Sequence, residues 1–414
     1  MTRWQPRGAA LLVVSLAFFT DGILYYILVP LLPDYARRFG LGPMGVAVLF
    51  GSYSVALLVC TFPLGRIADR IGRRRPMLWG LVGLASSTVL FAFSSSFPLL
   101  VLARVLQGIS AAATWVTGLA LLADHYGAER RGRAMGTAFA FANIAVLLGP
   151  PMGGWLSQHV GPRAPFLVAA GLALLDAAAR AALLRDVPME TGSRLGVRDL
   201  LGSRQVRVYA GAMALGSGMW ALLESTLPVD LDRRLGLSPT AMGLIFAAAA
   251  ATHTLTSPLM GSLSDRVGRK RVVTAGLLSA LVLLPLPSFL AGPAPIVVVM
   301  LLLGVTTSLV LSPTSPALAD AVERQGSQSY ASVFSIMNVA YALGMMAGPF
   351  LGGALISAFG LKAALVLLAL GFGLYVPVVL GVDATRGGEG RGGGEGGGGG
   401  GGGGQGLRAG GPLA

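Results

Sequence analysis

Three acidic side chains lie inside long apolar runs, Asp21 within residues 10–32, Asp176 within residues 163–184 and Glu224 within residues 208–229. An ionised carboxylate in the middle of a hydrocarbon layer costs about 3 kcal/mol on insertion scales. Each must therefore pair, take up a proton, or face an aqueous cavity. That choice is itself a chemistry, because a proton and a cationic amine compete for the same oxygen atoms. The alternatives are a helix–helix hydrogen bond for Asp21 and plain solvation in an outer vestibule for Glu224, which sits just ahead of Pro228.

Other polar groups are as conspicuous. His253 lies in the run 239–260, where an imidazole can stack on an aromatic ligand or carry a proton near neutral pH; a hydrogen-bonded spectator is the alternative. Arg104, with Gln107 close by in the run 98–122, needs an acceptor, and Asp21 or a backbone carbonyl can supply it. Asp176 and Arg180 stand four apart on one helix face and read as a structural ion pair. The single cysteine, Cys60, allows no intramolecular disulfide and no cysteine metal site. No nucleophile–base pair, metal cluster or phosphate loop with its lysine is present, so neither an enzyme nor a metal or cofactor is expected.

The elements that must position these groups follow from composition. Of 414 residues 54% are hydrophobic and 12% charged, with a mean hydropathy of +0.72; soluble domains carry about 25% charged residues. Apolar runs long enough to cross a bilayer fall near 10–32, 44–64, 77–95, 98–122, 134–157, 163–184, 208–229, 239–260, 272–291, 295–317, 328–355 and 361–381. The fold class expected is an all-α membrane protein with twelve transmembrane helices. With both termini on the cytoplasmic side, 20 Lys and Arg fall on that face and 6 on the other, as the positive-inside tendency requires. The net charge of +13 is thus a topology signal, not a nucleic-acid footprint. The expected setting is the cell membrane, with both termini cytoplasmic and the chain a monomer in the lipid bilayer.

The chain repeats itself. Gly65-Arg66-Ile67-Ala68-Asp69-Arg70-Ile71-Gly72-Arg73 returns as Gly261-Ser262-Leu263-Ser264-Asp265-Arg266-Val267-Gly268-Arg269. Gly149-Pro150 with Gly153-Gly154 returns as Gly348-Pro349 with Gly352-Gly353. Two pseudo-symmetric six-helix bundles are expected, residues 1–185 and 207–382, joined by a cytoplasmic linker at 186–206 and followed by a disordered Gly-rich tail at 383–414. Such halves suggest alternating access around a site at their interface. Asp69 is read at the start of a short loop, where it caps a helix or binds an arginine of another helix, while Gly65 and Gly72 allow close packing and a turn. In the Gly-Pro segments glycine permits helix contact and proline a bend.

GRIADRIGRRR at 65–75 resembles the signature of the major facilitator superfamily, and its copy at 261–271 strengthens the match. Arg104-Val105-Leu106-Gln107-Gly108 and the Gly-Pro segments of spans five and eleven resemble motifs of its drug–proton antiporters, although Ala145 stands where the first glycine usually does. Phe19-Thr20-Asp21, Val29-Pro30-Leu31-Leu32-Pro33 and Leu223-Glu224-Ser225-Thr226-Leu227-Pro228 are similar to the vesicular monoamine transporters. The resemblance implies a rocker-switch antiporter that exchanges protons for organic cations, amines or drugs. It implies a latch at Gly65, Asp69, Arg70, Gly72 and Arg73 and at Gly261, Asp265, Gly268 and Arg269. It implies gating helices around Gly149, Pro150, Gly348 and Pro349.

It further implies a substrate site of Asp21, Tyr53, Glu224, His253, Phe334 and Asn338, with Asp21, Glu224, His253 and Arg104 handling protons. Departures from the family pattern weaken one part of this. The family's span-two lysine falls on Tyr53, its span-ten carboxylate on Ser308, its span-eleven carboxylate on Asn338 and a nearby tyrosine on Phe334. Preference for a cation survives these losses better than the coupling route does. Trp220 and Tyr341 can add aromatic walls. The alternative reading is an uncoupled or differently coupled carrier of a neutral or anionic solute such as a sugar or organic acid.

Overall fold

A computed structural model describes residues 7–183, 202–323 and 330–382. The expected linker core, the tail and residues 1–6 lie outside the described residues. All regular structure among the described residues is helical. The helices are α1 (Arg7–Tyr26), α2 (Leu32–Arg38), α3 (Pro43–Ile71), α4 (Arg74–Phe93), α5 (Phe97–His125), α6 (Ala128–His159) and α7 (Ala164–Leu183). They continue with α8 (Arg204–Leu235), α9 (Pro239–Val267), α10 (Arg269–Leu283), α11 (Pro293–Glu323) and α12 (Tyr330–Leu380).

Two of these departures from regularity have plain causes. The first crossing is interrupted by a 3-10 turn at Val29–Leu31, where Pro30 and Pro33 remove backbone donors. Helix α12 crosses twice, reversing at Gly360, whose φ of 77° and ψ of 165° suit glycine. Ten described helices are long and apolar enough to span, with α12 among them as one. Helix α9, diluted by Thr252, His253, Thr254, Thr256 and Ser257, packs in the same bundle. Twelve crossings result among the described residues, as the runs predict. Side chains such as Val82, Leu174 and Leu374 stay exposed on the perimeter, the expected habit of a surface that meets lipid.

Helix α8 begins at Arg204, inside the last residues of the expected linker. The first six crossings meet the last six along two seams, α6 against α9 and α3 against α12. Both seams are tight at the end of the molecule far from Arg7 and Val382. A Cβ on Gly154 would lie 2.2 Å from the Pro239 carbonyl oxygen, and one on Gly243 2.4 Å from that of Pro150. On the other seam a Cβ on Gly353 would lie 2.5 Å from Ala47 Cβ, and one on Gly51 2.7 Å from the Phe350 ring. Small residues let the backbones touch there, so the far end is closed. Arg37 of α2 and Asp232 of α8 form an ion pair over it.

Candidate functional site

Three helices of the first six crossings build the centre. Arg104 on α5 is fully buried. Its Nε donates to the Leu49 carbonyl (3.3 Å), its Nη2 to the Phe50 carbonyl (3.1 Å) and its Nη1 to Gln107 Oε1 (2.8 Å). Backbone carbonyls, not Asp21, are thus its direct acceptors. The guanidinium also lies 5.0, 5.2 and 5.0 Å from the ring centres of Tyr25, Phe50 and Tyr53. Three rings and three acceptors therefore enclose one cation, and both kinds of contact gain strength away from water. Gly108, one turn on, lets α5 approach α3 closely enough for this, since a Cβ there would meet the Tyr53 carbonyl oxygen at 2.2 Å.

Asp21 sits beside that cage. Its Oδ2 accepts from the Trp115 indole N–H (2.9 Å) and the Tyr53 hydroxyl (3.2 Å). Its Oδ1 is buried and has no hydrogen-bond partner. An acceptor left in that condition costs about 1–3 kcal/mol. Trp115 is itself stacked on Phe18 at 4.0 Å, which fixes the indole that holds Asp21. Arg104 and Arg180 both lie near enough to act on Asp21 electrostatically.

Glu224 comes from the other six crossings. The Tyr25 hydroxyl donates to its Oε2 across the seam at 3.5 Å, and the Trp220 side chain one turn earlier also bonds it. The hydroxyls of Tyr26 and Tyr341 make a second link across the seam. The two carboxylates thus flank one arginine, each tied to it through a tyrosine whose ring lies on the guanidinium. The rings of Tyr25 and Tyr53 are themselves 4.7 Å apart.

His253 belongs elsewhere. Its Nδ1 lies 3.0 Å from Ser308 Oγ, which donates to the His253 carbonyl at 2.9 Å and meets Thr256 Oγ1 at 2.7 Å. The Ser308 hydroxyl thus ties the imidazole between α9 and α11. Asn338 is half-buried on α12, one turn before Tyr341. The side chain of Phe334 lies outside the described residues.

The Asp176–Arg180 pair is as expected, with Arg180 Nε to Asp176 Oδ1 at 3.0 Å and Nη1 to the Met77 carbonyl at 2.9 Å. The repeated signature needs correction. Gly65, Asp69 and Arg70 lie within α3, and Gly261 and Asp265 within α9, so Asp69 does not open a loop. The turns themselves are Gly72 and Gly268, with φ of 92° and 97°. A Cβ on Gly65 would meet only Val116 at 3.6 Å and one on Gly261 nothing within 4 Å, so neither serves close packing. Asp69 pairs with Arg73 at 2.6 Å and Arg73 with Asp124 of α5 at 3.2 Å. In the copy Arg269 pairs with Asp320 of α11 and, at 3.9 Å, with Asp265.

In the Gly-Pro segments, Pro150 lies inside an unbroken α6 and Pro349 inside α12. A Cβ on Gly149 would meet Tyr26 Cβ at 2.7 Å, and one on Gly348 the Gly218 carbonyl oxygen at 2.1 Å. The sequence reading passed over Tyr25, Phe50 and Trp115. Tyr25 alone carried a hint, one helical turn after Asp21 in the same apolar run, whereas Phe50 and Trp115 have no charge within a turn of them in the sequence.

Comparison with known proteins agrees with this architecture. The description of the Major Facilitator Superfamily matches residues 14–209 and again 209–397. The human chromaffin granule amine transporter is 33% identical over 339 residues, 80% of this chain and 64% of that protein. The mouse synaptic vesicular amine transporter is 31% identical over 318 residues, 76% of this chain and 62% of that protein. The chain therefore spans less than two thirds of the length of these two relatives. The Drosophila melanogaster vesicular acetylcholine transporter is 27% identical over 415 residues, 91% of this chain and 71% of that protein.

In structure, a bacterial homolog of the human lysosomal transporter Spinster, inward-facing and occupied, superposes with a TM-score of 0.79 at 17% identity. The match covers 92% of this chain and 97% of that one. A twofold match over both halves and these relatives make the chain a multi-pass member of the Major Facilitator Superfamily, related to the vesicular amine transporters.

Proposed function

We propose that the chain is a proton-coupled antiporter that moves organic cations or amines out across the cell membrane. The observation that carries this is the pair of buried carboxylates, Asp21 and Glu224, meeting from opposite halves around Arg104. Arg104 is consumed by its own carbonyls and rings, so the negative charge that remains is available to a proton or a cation. Competition for those oxygens couples the two flows: a cation leaves when a proton takes its place.

The transport cycle rocks residues 1–185 against 207–382 around this centre, with 186–206 as the cytoplasmic connection. With both termini cytoplasmic, the closed far end is the external face. Gly149, Pro150, Gly348 and Pro349 form the gating helices. The arginine pairs around Asp69, Arg70, Arg73, Asp265 and Arg269 belong to the opposite end, where they separate and re-form as it closes. The working unit is a monomer in the bilayer.

The test uses proteoliposomes with an imposed pH gradient and a fluorescent organic cation. Wild type should concentrate the cation in proportion to the gradient, and Asp21→Asn should abolish this. Intact gradient-driven uptake by Asp21→Asn would refute the assignment. Uptake without gradient dependence would favour an uncoupled carrier, a reading that Ser308 and Asn338, standing where the relatives resembled carry carboxylates, make the natural alternative.

A further inference from the structure

We infer that a cleft among the helix ends of the second half holds the phosphate of an anionic phospholipid. The cleft is lined by the start of α8, the turn between α9 and α10, and the ends of α11 and α12, and its volume is about 740 Å³. It is not the carboxylate centre, because Gln205 lines it and Glu224 stands nineteen residues further along α8, about 28 Å at the rise of a helix. The site therefore stands whatever the transported solute.

Its charge selects an anion. Arg266, Arg269, Lys270 and Arg271 line it against two carboxylates, Asp265 and Asp320. Arg269 pairs with both of those carboxylates, yet its Nη1 is buried and donates no hydrogen bond. A cationic donor in that condition gains most from an anion that brings several acceptor oxygens, as a phosphate does. Basic clefts between crossing helices suit lipid headgroups for this reason.

The apolar margin selects a lipid over a free phosphate. Val267 and Leu380 line the cleft, and each ends an exposed apolar row. On α9 the row is Leu255, Leu259 and Leu263, spaced four apart; on α12 it is Leu370, Leu374 and Val378. Rows at that spacing lie along one face of a helix. An acyl chain can follow either row while its phosphate enters the cleft, whereas an inorganic anion gains nothing from them.

Charge density alone would point elsewhere. The related turn of the first half is richer in arginine, with Arg66, Arg70, Arg73, Arg74 and Arg75. There Arg73 is 8% exposed and is engaged by both Asp69 and Asp124. Arg269, its counterpart, is 23% exposed and faces the cleft.

Native mass spectrometry of the purified full-length chain in a neutral detergent tests the site. The probes are dioleoylphosphatidylglycerol and dioleoylphosphatidylcholine, with inorganic phosphate as competitor. The anionic lipid should bind at least about 10-fold more tightly, because each cation near the surface contributes about 5-fold. Arg266→Gln, Lys270→Gln and Arg271→Gln together should reduce that preference to about 2-fold or less. Arg66→Gln, Arg70→Gln and Arg75→Gln together should leave most of it. If the first triple variant does not fold, Asp320→Asn decides the matter: it removes a carboxylate from the cleft and should raise affinity for the anionic lipid by about 5-fold.

Equal binding of the two lipids would overturn the inference. So would equal losses in the two triple variants, which would mean that surface charge alone gathers the lipid. Unchanged or weaker binding by Asp320→Asn would overturn it as well. Full displacement of the lipid by a millimolar excess of inorganic phosphate would show a site for free anions and overturn the lipid assignment.

Discussion

Replacing Gly108 with alanine tests the geometry that joins α5 to the site. The new Cβ would lie 2.2 Å from the Tyr53 carbonyl oxygen and 2.8 Å from Ala56 Cβ. A relaxed contact needs about 3.3 Å or more, so α3 must retreat by about 1 Å. The obstacle is helix backbone, which cannot rotate away as a side-chain tip would. That displacement carries Tyr53 with it, and its 3.2 Å bond to Asp21 passes beyond hydrogen-bond range. The Arg104 bonds to the Leu49 and Phe50 carbonyls, 3.3 and 3.1 Å, stretch at the same time.

Overpacking costs about 1–3 kcal/mol and each weakened bond to the charged guanidinium about 1 kcal/mol or more, so a loss of about 3–5 kcal/mol is expected. Gly65→Ala and Gly261→Ala are the matched controls, because Val116 at 3.6 Å and open space respectively await their Cβ atoms. Both lie inside helices, where alanine gains about 0.5–1 kcal/mol over glycine. Thermal denaturation of the three purified variants in one detergent reads the difference, and cation binding reads the site. Gly108→Ala should melt well below wild type and bind weakly, while the controls melt at or above it. The reasoning is refuted if Gly108→Ala and Gly65→Ala melt together.

Three further outcomes are expected. Arg180→Met should destabilise the chain by about 3–5 kcal/mol, because it strands the buried Asp176, and Asp176→Leu added to it should restore more than half of the loss in a denaturation series. Cation affinity measured by equilibrium binding should strengthen as pH rises from about 5.5 to about 8, since a proton that competes for a carboxylate is withdrawn; affinity that falls over this range contradicts the shared-site mechanism. Asp232→Asn removes the ion pair with Arg37 over the closed end and should raise the labelling rate of a cysteine placed at the buried and similarly sized Ser225 by several-fold, whereas an unchanged rate would show that the glycine seams alone hold that end shut.

Much of the fold was legible along the chain because the bilayer imposes a local rule. Each crossing must be apolar for about 20 residues whatever its neighbours, so the runs reported the crossings. The rule blurred at α9, where Thr252 to Ser257 dilute a helix that neighbours protect, and at Asp69, where α3 continues past the apolar run into the expected loop. Helix length beyond the hydrocarbon depends on hydrogen bonding that hydropathy does not record.

The candidate site divided along the same line. Asp21, Glu224 and Arg104 announced themselves by type, because a charge in an apolar run has few bland explanations. Their partners did not. Tyr25, Phe50 and Trp115 look like ordinary packing residues, and only the approach of α5 to α3 at Gly108 turns rings and carbonyls toward one guanidinium. Likewise His253 shares an apolar setting with the carboxylates in sequence, yet its imidazole bonds Ser308, which Thr256 bonds in turn. The sequence by itself determined which groups are costly in a membrane and on which helix each one rides. Tertiary structure alone decided which acceptors satisfy them and which oxygen of Asp21 is left over. Hydrophobicity is a property of each residue, whereas a hydrogen bond depends on the distance and direction between two groups that the chain keeps tens of residues apart.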